Sequence, residues 1–226
     1  MQNLQEDKAT DTSIELYDIM HEKAMLELQP EYVRMMTWFK CAIMEIETKL
    51  NVLNQEFSLQ YDRNPFESIN TRLKSTASIV DKLNRRGLEI SVDSIMNNLT
   101  DIAGIRVVCS FQEDIYSVAR MLTSQDDVSL IQIKDYIKNP KPNGYRSLHL
   151  ILAIPIFLSQ ETRYMKVEVQ FRTIAMDFWA SLEHKMHYKK HIRNADMISE
   201  RLAKCSDMIE QIDLEMQSIR HMIEKE

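Results

Sequence analysis

Glycine is almost missing from this chain: among 226 residues only Gly87, Gly104 and Gly144 occur. The scarcity removes both glycine-built cradles for nucleotide phosphates. A P-loop needs two glycines in G-x-x-x-x-G-K-[ST], and a dinucleotide-binding fold needs G-x-G-x-x-G. Three glycines spaced this widely spell neither. If the chain handles phosphates, side-chain cations and metal must hold them. The same scarcity leaves long helical patterns unbroken.

Apolar spacing then divides the chain. Residues 12–28 carry Ile14, Leu16, Ile19, Met20, Met25, Leu26 and Leu28 near helical period, up to Pro30. Residues 31–60 carry a longer stripe of Val33, Met36, Phe39, Ile43, Ile46, Leu50, Leu53 and Phe57. Asn64-Pro65 marks a turn, and the texture changes beyond it. Strands are expected at 68–74, 104–111, 128–133, 148–157 and 164–171, and helices at 75–86, 92–99, 115–122 and 173–190. A rigid loop spans 139–144. A last helix, 195–225, shows heptad-like positions at Ile198, Leu202, Cys205, Met208, Ile209, Ile212, Met216 and Ile219. The expected class is α+β. A mixed sheet from 65–190 lies between long amphipathic helices over 1–60 and 195–226, all in one domain. The terminal stripes exceed what one small sheet needs, so residues 195–226 are expected to serve oligomerisation.

The balance of 28 Lys and Arg against 34 Asp and Glu leaves a formal charge of −6, a poor basis for wrapping duplex nucleic acid. Cys41, Cys109 and Cys205 lie far apart in no C-x-x-C pair, as reduced thiols of a cytoplasmic protein would. The polar, acidic start MQNLQEDKAT is unlike a signal peptide. The longest apolar run, 148–158, is too short to span a bilayer, so no membrane partner is expected.

Two cationic clusters interrupt the acidity. One holds Arg72, Lys74, Lys82, Arg85 and Arg86; the other holds Lys134, Lys138, Lys141, Arg146 and His149. Clusters flanking strands suit polyphosphates, and a solvated charged face is the competing reading. Asp101 precedes one strand and Glu168 sits within another. Such carboxylates hold magnesium together with substrate phosphates, or accept a hydroxyl proton. An exposed acid on an amphipathic strand is the competing reading. Tyr145 follows the NPKPNG loop, beside Lys141 and Arg146. It is either a stacking platform for a base or a core tyrosine after a proline-rich turn.

Together, Arg72-Leu73-Lys74, the DIAGIR run from Asp101 to Arg106, Lys141 with the GYRSLH run from Gly144 to His149, Glu168-Val169-Gln170, and Arg172-Thr173-Ile174-Ala175-Met176 running into Trp179-Ala180 resemble the synthetase domain of the RelA/SpoT-homologue family, in that family's order. The flanking helices resemble its small stand-alone synthetases of the RelP/RelQ type, RelP more closely. The resemblance implies a nucleotidyltransferase-like sheet and transfer of pyrophosphate from ATP to the 3′-hydroxyl of GDP or GTP, giving the alarmone ppGpp or pppGpp and AMP. It implies that Arg72 and Arg106 sandwich adenine, and that Lys74, Ser78 and Lys82 hold the ATP phosphates. Asp101 would bind Mg²⁺, and Glu168 would approach the metal and orient or deprotonate the 3′-hydroxyl. Tyr145 would stack on guanine, Lys134 and Lys141 would hold the guanine nucleotide's 5′ phosphates, and His149 and Gln170 would line the acceptor side. A homotetramer is implied too.

Bifunctional relatives carry a His-Asp hydrolase pair. No His-Asp dipeptide occurs here, and the large regulatory C-terminal region is missing, so the resemblance implies a synthetase without hydrolysis or ribosome sensing. Two other readings stand beside it: a tRNA-pyrophosphorylating toxin of the same family, and a non-catalytic module that binds nucleotides or RNA. Where product-activated relatives carry Phe, Thr and Asn, this chain has Ser68, Asn70 and Asp177. Added pppGpp is therefore expected to leave the rate of AMP release unchanged, and strong stimulation in that assay would contradict the comparison of these positions.

Overall fold

The computed structural model describes residues 22–60, 63–187 and 194–225. Most of the expected helix 12–28 lies outside the described residues, though 22–27 are helical, and 188–190 of the expected helix 173–190 also lie outside. The remaining order is α1 (Pro30–Gln60), β1 (Phe66–Leu73), α2 (Thr76–Arg85), α3 (Val92–Asn98), β2 (Ala103–Cys109), α4 (Gln112–Thr123), β3 (Ser129–Asp135), β4 (Leu148–Phe157), β5 (Thr162–Thr173), α5 (Ile174–His187) and α6 (Ala195–Ile223).

Five strands form one mixed sheet in the order β1-β2-β5-β4-β3, with only β2 and β5 parallel. The parallel pair forces the crossover through α4, β3 and β4, which sets the last strand into the middle of the sheet. β5 therefore carries neighbours on both sides, and its alternation sorts the molecule. Met165, Val167, Val169 and Phe171 are buried, while Lys166, Glu168, Gln170 and Arg172 share the opposite face.

α1 lies across the apolar face, touching β1, β2, β4 and β5. Its inward stripe is Tyr32, Met35, Phe39, Ile43, Ile46, Leu50 and Leu53, all buried. The sequence stripe ran one position off at its start: Val33 is 55% exposed, and Tyr32 and Met35 take the core positions instead. Each fully buried large side chain contributes roughly 1.5–3 kcal/mol relative to exposure. α2 begins at Ser75, whose hydroxyl accepts the Ser78 amide. It stops before Gly87, which takes φ +63°.

α6 divides its apolar positions between two faces. Along it, Leu202 and Ser206 are buried and Ile198 and Ile209 pack partly. Met208, Ile212, Met216 and Ile219 are exposed. A face that mixes Leu202, Ile198 and Ile209 with polar residues docks on this chain's own core, and the remaining apolar positions form a stripe that points outward.

Gly144 marks the closest approach. At φ +90°, an added Cβ would lie 2.7 Å from Ser206 Cβ and 2.8 Å from Ala203 Cα of α6. Gly87 shares the left-handed backbone but has nothing within 4 Å. Gly87→Ala is expected to cost ~1 kcal/mol from backbone strain alone, and Gly144→Ala roughly 3 kcal/mol because α6 must also shift. Denaturant melts of both variants check this; equal losses would remove the steric argument.

Candidate active site

The polar face of the sheet is the floor of a cleft of about 710 Å³. Strand register builds it in two rows, since directly opposed residues share a face. One row runs Asn70, Arg106, Gln170, His149, Lys134, and the other Arg72, Gly104, Glu168, Ile151. The second half of α5 supplies a wall with Ala180, Ser181, Glu183, His184 and Lys185. Arg72, Lys74, Asp101, Arg106, Tyr145, Glu168 and Gln170 all line this one cleft. Gly104 leaves the floor open between Arg72 and Glu168.

At one end stands a lysine–aspartate clasp. Lys74 leaves the end of β1 with its amide on Ile102 O (2.9 Å). Its Nζ and that of Lys82 each donate to Asp101 Oδ2 at 2.7 Å. Burial pushes the Asp101 carboxyl up, but the hydrogen bonds from Lys74 and Lys82 outweigh it and hold the group below its ordinary value. Burial lowers the Lys82 ammonium in spite of Asp101. Asp101 Oδ1 is buried with no hydrogen-bond partner. Leaving such an atom unsatisfied costs about 1–3 kcal/mol, so it is the atom a cation would complete. Ser78 and Lys82 sit one helical turn apart on α2, beside Lys74.

At the other end Glu168 is held by both oxygens. His149 Nδ1 donates to Oε1 (3.2 Å), and Gln170 Nε2 donates to Oε2 (2.7 Å). Burial raises the Glu168 carboxyl, and its bonds to His149 and Gln170 more than reverse this; the charge of Asp101 acts in the raising direction. The two acids thus feel one another across the cleft. Arg172, 8% exposed, lines the same cleft. Its Nη1 donates to Asp177 Oδ1 (2.9 Å), and its Nη2 to Tyr145 Oη (2.9 Å) and Gln170 Oε1 (3.2 Å). Arg106 Nε lies 3.4 Å from the same Asp177 oxygen.

The two cationic clusters of the sequence divide. Arg72 and Lys74 line the cleft and Lys82 reaches it through Asp101, whereas Arg85 pairs with Asp81 at 2.8 Å and Arg86 donates to Asn98 O. In the second cluster, Lys141 Nζ sits 4.7 Å from the Tyr145 ring centre and 4.8 Å from that of Tyr136. Lys134 shares the row of His149 at the sheet edge. Lys138 lies 3.7 Å from Asp135. Arg146 turns away altogether, into α6. Sequence reasoning assigned no role to Arg172, although the period of two places it beside Gln170.

α6 braces the loop that carries Tyr145 from behind. Arg146 Nη2 meets Asp207 at 3.1 Å and Glu210 at 2.7 Å. Ser206 Oγ donates to Gly144 O, Thr173 Oγ1 to Asp213, and Trp179 Nε1 to Leu202 O. Tyr145 thus sits in a loop whose two neighbours are both fixed by α6.

Residues 71–193 match the RelA_SpoT family, a region found in RelA / SpoT proteins. GTP pyrophosphokinase YwaC of Bacillus subtilis (strain 168) is 42% identical over 82% of this chain and 89% of its own length. GTP pyrophosphokinase YjbM of the same organism is 31% identical over 86% and 91%. Among solved structures, small alarmone synthetase 1 from Bacillus subtilis bound to its product pppGpp superposes with a TM-score of 0.79 at 32% identity, covering 86% of this chain and 99% of that one. Small alarmone synthetase 2 from the same organism gives 0.77 at 39%, covering 85% and 99%. A mixed sheet with a cation-lined, two-carboxylate cleft defines a nucleotide phosphotransfer class. Within that class, the chain belongs to the RelA/SpoT family.

The brace carries a stability prediction. Glu210→Ala leaves Arg146, 10% exposed, with only solvent-facing Asp207 as a carboxylate partner. A loss of ~1–3 kcal/mol is expected, partly recovered in Arg146→Met/Glu210→Leu, because removing both charges also removes their desolvation cost. Urea melts check it: a double variant less stable than Glu210→Ala would overturn this account of the pair.

Proposed function

We propose that the chain is a GTP/GDP pyrophosphokinase and that this cleft is its active site. The 3′-hydroxyl oxygen of GDP or GTP attacks the β-phosphorus of ATP. The bond from that phosphorus to the oxygen bridging to the α-phosphate breaks, AMP leaves, and the hydroxyl proton passes to Glu168. The products are ppGpp or pppGpp and AMP. Asp101 and Glu168, converging in one cation-lined cleft, carry the reading: phosphoryl-type transfer asks the protein mainly for positioning and charge neutralisation.

Arg72 and Arg106 are diagonal neighbours across β1 and β2, roughly 7–8 Å apart by sheet geometry. A base stacked about 3.5 Å from each of two guanidinium planes needs about 7 Å, which supports an adenine sandwich. Lys74, Ser78 and Lys82 receive the ATP phosphates. Lys134 and Lys141 meet the guanine nucleotide's 5′ phosphates, and Tyr145 stacks on guanine. Mg²⁺ suits the donor set, because it takes one or two carboxylates with substrate phosphates, and Asp101 Oδ1 is an oxygen without a hydrogen-bond partner in a residue that lines the same cleft as Glu168. Asp101 and Glu168 would hold it, and it would neutralise charge on the transferred group.

The enzyme works as a cytoplasmic homotetramer in this reading. Ile174, Phe178 and Leu182 of α5 and the outer stripe of α6 are exposed apolar surface that self-association would cover. No helix among the described residues is long and apolar enough to cross a membrane.

AMP release from ATP, measured with GDP, GTP, GMP and tRNA in turn, tests the proposal; release with tRNA alone would sink it. Glu168→Gln and Asp101→Asn should each cut the rate at least ~100-fold with the melting temperature retained. A full rate in either removes that residue's role. Tyr145→Ala should mainly raise KM for the guanine nucleotide, and an unchanged KM would discard the stacking.

A further inference from the structure

Five side chains close a ring of hydrogen bonds around the acceptor end, and with His149 as a neutral imidazole one set of donor directions satisfies it. The Glu168 carboxylate only accepts, so His149 presents Nδ1–H to Oε1 at 3.2 Å. A neutral imidazole then accepts at Nε2, where the Tyr145 hydroxyl lies at 2.9 Å and must donate. The Tyr145 oxygen in turn accepts from Arg172 Nη2 at 2.9 Å and Ser147 Oγ at 3.0 Å. The second arm runs from the same Arg172 Nη2 through Gln170 to Oε2 of Glu168, at 3.2 and 2.7 Å. Both carboxylate oxygens are thus oriented from one buried guanidinium, one arm passing through Tyr145 and His149.

We propose that Tyr145 serves the reaction twice: its ring binds guanine, while its hydroxyl, acting through His149, positions the Glu168 carboxylate toward the acceptor 3′-hydroxyl. The inference rests on the pyrophosphokinase reading above. Tyr145 Oη and His149 are positioning groups that reach the reacting atoms only through Glu168. The rest of the ring supports this division. The Tyr145 ring is approached edge-on by Tyr136 and Trp179, at 6.1 and 6.5 Å between centres, so neighbours hold it independently of its oxygen. His149, 7% exposed, is likewise held edge-on by Tyr136 at 5.3 Å. Loss of the hydroxyl alone therefore leaves both rings packed but removes one of the two hydrogen bonds that set the imidazole's orientation toward Glu168.

Steady-state kinetics of the full chain with ATP, GTP and Mg²⁺ separate the two roles. Tyr145→Phe is expected to keep KM for GTP within about twofold and to lower kcat about tenfold, the scale of losing an orienting partner. His149→Ala should lower kcat at least as much. Because the hydroxyl acts through His149, adding Tyr145→Phe to His149→Ala should lower kcat no further. His149→Asn places an amide donor near the former Nδ1 and should recover part of kcat, again insensitive to Tyr145→Phe. Should His149→Ala melt below the assay temperature, the same cycle is run on His149→Asn. Wild-type kcat in Tyr145→Phe, a kcat loss matched by a rise in KM, or multiplicative losses in the double variants would each overturn the proposal. Failure of the underlying reading looks different: the wild-type chain itself would release no AMP.

Discussion

The guanidinium of Arg172 sits 8% exposed at the end of the central strand and cannot shed its charge. A buried cation is tolerable only when carboxylates and hydrogen-bond acceptors surround it. Asp177 supplies the counter-charge from the first turn of α5, and Tyr145 and Gln170 supply the acceptors. Meeting that demand draws together the end of β5, the loop carrying Tyr145 and α5, three of the segments that line the cleft. Arg106 joins through the same aspartate. Positions that look independent along the chain are therefore satisfied as one group, and the cleft inherits their rigidity.

Much of this was legible because β5 obeys the period of two without interruption. Met165, Val167, Val169 and Phe171 had to face one way, so Glu168 and Gln170 had to face the other. Helix starts carrying a local chemical signal were legible too, as at Ser75 with its bond to the Ser78 amide. The order of strands was not, since it depends on which edges pair across large separations, and no local pattern encodes the parallel β2–β5 contact.

The charged residues show the same boundary. Arg85, Arg86, Lys138 and Arg146 carry the same charge as Lys74 and Lys82, and sequence grouped them together. Their destinations were set by different partners: nearby acids for Arg85 and Lys138, a backbone carbonyl for Arg86, and the distant Asp207 and Glu210 for Arg146. The docking of α6 on its own chain was hidden for a related reason. Its apolar positions mark a surface to be covered, but the face that docks in this chain is fastened by Ser206, Asp207, Glu210 and Asp213. Polar fastening leaves no periodic signature, because each bond depends on one distant partner.

The clasp of Lys74 and Lys82 on Asp101 has a consequence for selectivity among anions. Any phosphate approaching those ammonium groups competes with a carboxylate already seated there. An anion arriving alone would weaken that pairing and leave a negative oxygen poorly neutralised in a half-dry setting. A polyphosphate chelating a divalent ion brings the replacement counter-charge with it. If the clasp receives nucleotide phosphates as proposed, charge alone favours there an anion that carries its own metal ion over a bare one.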